Sequence, residues 1–143
     1  MKPTVSRYFA PPVGKLGIIV HPSCKELGDR INSYISRWRS DHINIHANES
    51  VFEEYTRDSY LIDSSCPRFG TGEAKALIKD SVRGMDLYII ADVLNYSLKY
   101  KVCGHINHMS PDDIYADVKR LIGAASGKPK NITVILPRSE EHT

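Results

Sequence analysis

The chain has 143 residues, 41% of them hydrophobic and 25% charged, and a formal net charge of +2. That length supports one domain with a real core, and so small a positive balance does not specify a nucleic-acid surface. No apolar run approaches the ~18 residues of a membrane-spanning helix, and Met1 to Val13 lack the apolar centre of a signal peptide.

Residues 1–13 carry prolines and polar residues and read as a flexible N-terminal arm. Leu16 to Val20 follows Gly14 as a short apolar strand. His21-Pro22-Ser23 ends it, and Ser23 with Glu26 three residues on has the spacing of a capping box. Leu27, Ile31, Tyr34, Ile35 and Trp38 then share one helical face. Ser40 to Ser50 is polar and rich in His and Asn, so it reads as loop. Val51 to Asp63 is ambiguous and reads as a short helix carrying Phe52, Tyr55 and Tyr60, then a strand at Tyr60 to Ile62.

The stretch from Pro67 to Ile90 is the most informative. Gly70 and Gly72 flank Thr71, so the backbone there has access to conformations closed to other residues. They place Phe69, Thr71 and Glu73 on a mobile tip, where a ring, a hydroxyl and a carboxylate suit a planar ligand with a polar edge. Glu73 to Lys79 alternates loosely, as a partly exposed edge strand does. Arg83-Gly84 marks a tight turn. Leu87 to Ile90 is a continuous apolar run, the pattern of a strand covered on both faces.

Val93 to Met109 reads as a long connection, in which Tyr96 and Tyr100 are packing residues. Ser110-Pro111-Asp112-Asp113 is a helix start, with a cap serine, a first-turn proline and acids at the positive end of the helix dipole. Ile114, Val118, Leu121, Ile122 and Ala125 form its buried face, and Gly127 stops it. Ile132 to Leu136 is another buried strand. Strand and helix alternate, which predicts an α/β fold with a mostly parallel sheet flanked by helices.

The order of the central residues resembles the N-terminal domain of the phosphoribosyl pyrophosphate synthetase (ribose-phosphate pyrophosphokinase) family. That family has an Arg/Lys-Phe loop ending in glutamate, a short strand, and a Val-Arg-Gly-x-Asp turn into an apolar strand. Here these are Arg68-Phe69, Glu73, Ala74 to Lys79, Val82-Arg83-Gly84-Met85-Asp86 and Leu87 to Ile90. The likeness extends from about Gly17 to Pro137. It implies a phosphoribosyltransferase-like N-terminal domain over 14–137, with 138–143 a truncated tail.

The family moves the β,γ-diphosphoryl group of ATP to the C1 hydroxyl of ribose 5-phosphate, with Mg²⁺ as cofactor. By resemblance, Phe69, Thr71, Gly72 and Glu73 form an adenine-facing ATP loop. Phe69 lies against the purine and Glu73 accepts from its exocyclic amine, while a neighbouring subunit holds most of the nucleotide. Thr71 stands where the family usually has Asp or Asn. The resemblance gives Arg83 a structural role, has Asp86 tether the same turn, and leaves Arg138 as a phosphate candidate in place of an Arg-Gln-Asp loop. The metal-binding histidine and the second domain have no counterpart, so this chain supplies no catalytic residue and no Mg²⁺ ligand.

His105 and His108, three apart, lack a carboxylate or thiolate that would complete a metal site. Cys24, Cys66 and Cys103 are odd in number and dispersed, as expected of reduced thiols in a cytoplasmic protein. The leading expectation is the N-terminal half of a ribose-phosphate diphosphokinase, a homo-oligomer inactive as this chain alone, with no nucleic acid or membrane partner. The alternatives are a non-catalytic regulatory homologue that assembles with a full-length synthetase, and a free-standing nucleotide-binding or scaffold domain with no link to ribose phosphate.

Overall fold

A computed structural model describes residues 13–45 and 55–138. In chain order the elements are β1 (Leu16–Val20), α1 (Lys25–Ile45), β2 (Ser64–Ser65), β3 (Leu77–Ile78), β4 (Asp86–Ile90), β5 (Lys99–Val102), β6 (His105–His108), α2 (Pro111–Ala125) and β7 (Asn131–Ile135). The expected arm lies outside the described residues except for Val13, which is exposed. The tail beyond Arg138 lies outside them too.

The main sheet is parallel with order β1-β4-β7, in the register Leu16↔Asp86 and Asp86↔Asn131. The segment around Leu61 adds a rudimentary parallel neighbour to β1. Ile18 N–H donates to the Tyr60 carbonyl at 2.9 Å, and Ile62 N–H donates to the Ile18 carbonyl at 2.8 Å. The strand expected at Tyr60 to Ile62 is thus present as a single bridge at Leu61; of the helix expected before it, Phe52 is outside the described residues, and Tyr55 and Tyr60 are not helical.

β4 sits at the centre, and its side chains serve both faces. Leu87 and Ile89 pack with Ile19, Val82, Leu121 and Ala125 under α2. Ile90 packs with Ile18, Cys24 and Tyr60 on the α1 side. α2 begins as its sequence predicts, with a reciprocal capping box between Ser110 and Asp113 and Pro111 in the first turn.

α1 departs from its sequence pattern in three ways. Ser23 is not its cap: it lies in a 3₁₀ turn over Pro22–Cys24 that His21 caps, the ring accepting the Ser23 N–H. The helix runs on to Ile45, because no glycine or proline intervenes after Ser40 to stop it. Its packed row is also rotated. Tyr34 and Trp38 are 69% and 45% exposed, while Gly28 and Asn32 are buried beside Ile31 and Ile35. Asn32, Ser36 and Arg39 pin residues 55–60 through hydrogen bonds to the Tyr60 N–H and the Arg57 and Tyr55 carbonyls.

Because α1 lies toward β1, no other described element covers the same sheet face over β4 and β7. A groove of about 370 Å³ runs there between Tyr88 and Ile135 of the sheet and Ile35 and Trp38 of α1. Asp86, at its end, does not tether the Arg83-Gly84 turn with its side chain as expected. Its backbone N–H donates to Lys15, and its Oδ1 is buried with no hydrogen-bond partner. Gly84 holds the turn instead, with φ +72° and its N–H on the Lys128 carbonyl at 2.9 Å.

The connection read between Val93 and Met109 contains a hairpin, β5 with β6, closed by Cys103 and Gly104 at φ 49° and 83°. His105 and His108 are therefore on a strand, where residues three apart face opposite sides.

Candidate functional site

Two regions of the fold have the makings of a site. The first is the turn from Pro67 to Lys75, a closed antiparallel loop. Phe69 N–H donates to the Glu73 carbonyl at 2.7 Å, Gly72 N–H to the Phe69 carbonyl at 2.9 Å, and Lys75 N–H to the Pro67 carbonyl at 3.1 Å. The loop is thus closed across its base by its own hydrogen bonds rather than a loose tip, and only one of its two glycines needs special freedom. Gly72 has φ +93°, whereas Gly70 is not in the left-handed region. Glu73 to Lys79 yields two strand residues, Leu77 and Ile78, plus the Arg68↔Ala74 bridge.

At this tip Phe69 is 48% exposed, and Thr71 and Glu73 are exposed. The Lys75 ammonium stands 5.7 Å from the centre of the Phe69 ring. A half-exposed aromatic ring, a hydroxyl and a carboxylate therefore share one short loop. The β5–β6 hairpin backs it: the Cys103 thiol reaches the Gly70 carbonyl at 3.3 Å.

Behind the loop lies a buried polar cluster that local sequence reading missed. Arg68 donates from Nη1 to the Gly72 carbonyl at 3.0 Å, and its Nη2 stands 3.5 Å from Asp117 Oδ1. Its guanidinium stacks over the Tyr100 ring at 4.4 Å. Asp117, 2% exposed, also receives Arg120 at 2.9 Å and His21 Nε2 at 2.9 Å. His21 Nδ1 accepts the Ser23 N–H, so the ring proton sits on Nε2, aimed at Asp117. The available signal was Asp117 itself, an acid on the apolar stripe of α2, four residues before Leu121.

The second region is the crevice beyond the carboxyl ends of β1, β4 and β7. α1 lies on one face of the sheet and α2 on the other, so the chain changes direction between β1 and β4, where α/β sheets hold ligands. Ser23, Lys25, Arg30, Asp92, Asn95 and Arg138 line a cleft of about 420 Å³ there. Ser23 Oγ accepts the Asp92 N–H at 2.8 Å, and Asn95 donates to the Ser23 carbonyl at 2.6 Å. Arg138 pairs with the Asp92 carboxylate.

Among the described residues no three His, Cys, Asp or Glu side chains converge, and the crevice carboxylate of Asp92 already holds Arg138.

All three cysteines are free thiols. Burial, and then the charge of Asp92, push the Cys24 thiol from 9.0 up to about 11; burial, and then Asp117, do the same for Cys66. Cys103 is exposed. Iodoacetamide at about pH 8 is expected to label Cys103 first and the other two only on unfolding, as peptide masses will show. The two raised thiols contribute stability that is whole below about pH 9. It falls as the pH rises through about 11, because the unfolded chain releases those protons first.

A family model described as the N-terminal domain of ribose phosphate pyrophosphokinase matches residues 16–140. No curated protein and no solved structure matches the chain. Among the described residues no helix is long and apolar enough to cross a membrane.

Proposed function

The chain belongs to the N-terminal domain family of ribose phosphate pyrophosphokinase, and on that footing we propose that it presents an adenine-facing loop within a ribose-phosphate diphosphokinase. The supporting observation is the half-exposed Phe69 ring on a loop closed by its own backbone hydrogen bonds, with the Glu73 carboxylate free in solvent beside it. Phe69 stacks on the purine, Glu73 accepts from the exocyclic amine, and Thr71 adds a hydroxyl at the edge. A second subunit supplies most of the contacts to the triphosphate, so the working enzyme is an oligomer. Arg138, held by Asp92, marks where phosphate charge would arrive.

This chain contributes no catalytic side chain in this reading. Pure 143-residue protein is expected to give no phosphoribosyl pyrophosphate from ATP and ribose 5-phosphate, and measurable turnover would contradict that.

Binding is tested by titrating ATP into the isotopically labelled chain and following the Phe69, Gly70, Gly72 and Glu73 amides. These amides are expected to shift with ATP and less with GTP. Stacking of a base on an aromatic ring is worth about 1–3 kcal/mol, so Phe69→Ala should weaken binding by about five- to 150-fold. Loop amides that stay still at millimolar ATP would end the proposal.

A further inference from the structure

We infer that Arg68 is the positioning residue of the purine-facing loop, fixing its shape from behind through Tyr100 and Asp117. The inference rests on the nucleotide reading above for its functional meaning, but its geometry stands independently.

Three restraints converge on this one side chain, which is only 10% exposed. Nη1 holds the Gly72 carbonyl, the residue whose positive φ reverses the chain. Nη2 faces Asp117 Oδ1 at 3.5 Å and has no hydrogen bond of its own, so the ion pair is what compensates its burial. The guanidinium carbon stands over the Tyr100 ring at 4.4 Å, and that ring packs in turn against the core below α2.

Asp117 is a firm post for this purpose. His21 and Arg120 both donate to it at 2.9 Å, and it stands on the buried face of α2. Arg68 therefore ties a surface loop to two elements of the scaffold: α2 through Asp117, and the β5–β6 hairpin through Tyr100. The loop's own hydrogen bonds close its base, but only Arg68 Nη1 holds the Gly72 carbonyl among the described side chains. The direction in which Phe69 and Glu73 leave the loop follows from that anchor.

Lysine cannot replace it fully. An ammonium keeps the charge opposite Asp117 but has no plane to lay on Tyr100 and no fork to reach Gly72 and Asp117 together. Arg68→Met removes every restraint and keeps most of the apolar stem.

The experiment compares amide spectra of the 143-residue chain with Arg68, Arg68→Met and Arg68→Lys, each without and with ATP. In Arg68→Met, without ligand, the Gly70, Gly72 and Glu73 amides are expected to move toward random-coil positions while those of β4 stay in place. Arg68→Lys should restore part of the shift. ATP affinity should fall about tenfold or more in Arg68→Met. Native loop amides in Arg68→Met, even in a protein that melts earlier, would overturn the inference, because they would make Arg68 a general stabiliser only.

If Arg68→Met does not fold, Tyr100→Leu takes its place: it removes the ring beneath the guanidinium, and unchanged loop amides there would overturn the inference equally. Should ATP leave the wild-type loop untouched, the nucleotide reading falls, while the ligand-free spectra still decide the role of Arg68.

Discussion

Asp117→Ala is expected to remove about 3–5 kcal/mol of stability, the cost of stripping one partner from a buried ionic cluster. For a chain of this length that corresponds to a fall in Tm of roughly 10–15 °C. Loss of a carboxylate from a helix would ordinarily be minor. Here it leaves the Nε2–H of His21, 2% exposed, with no acceptor, and leaves Arg68 and Arg120 facing an empty site. The bland interpretation, loss of one surface ion pair, would give less than about 1 kcal/mol. Asp117→Asn separates the two. Its amide oxygen still accepts one hydrogen bond, so it should recover part of the loss but not the pairing with two arginines. A denaturant titration of the two variants measures both figures, and a loss below 1 kcal/mol for Asp117→Ala would contradict the cluster's importance.

Gly28→Val is expected to cost about 2–3 kcal/mol through overpacking. A Cβ built on Gly28 falls 2.4 Å from both methyl carbons of Val20, so α1 must lift from β1 or Val20 must leave its position. Glycine within a helix costs about 1 kcal/mol relative to alanine, and it is kept here because closeness to the sheet outweighs that penalty. The rescue experiment is Val20→Ala in the Gly28→Val background. Removing the two methyls should recover part of the loss in Tm, the Val20 Cβ at 2.9 Å still having to give way, whereas an additive result would show that helix propensity, not contact, sets the effect.

Much of the scaffold was legible in the sequence for identifiable reasons. β1 matches its predicted span residue for residue, because its apolar run is bounded by Gly14 on one side and His21-Pro22 on the other. α2 announces itself through Ser110, Pro111 and two acids, and those groups cap it as the pattern requires. Ser23 misled because its hydroxyl is claimed by the N–H of Asp92, a partner from a different strand end that no local window contains. The β5–β6 hairpin escaped notice because Cys103 takes a positive φ at the turn position where Asn or Asp is the usual signal.

The candidate site divides in the same way. Phe69, Gly72 and Glu73 are adjacent, so their order and the glycine between them are visible in a line of text. Arg68, Tyr100, Asp117 and His21 come from four different elements or loops, and only the folded chain brings them into one cluster. The parallel order of the sheet was readable from strand–helix alternation. The rotation of α1 was not, because Tyr34 and Trp38 have the spacing of packed residues while facing outward.

A parallel sheet is ordinarily sheltered on both sides, and among the described residues an apolar groove is left beside β4 and β7, with Ile135 and the Trp38 indole exposed along it. Any molecule that dries that surface gains about 25 cal/mol for each Å² of apolar area removed from water. Resistance to heat then depends on concentration: by mass action, whatever settles there adds its own binding free energy to that of the fold.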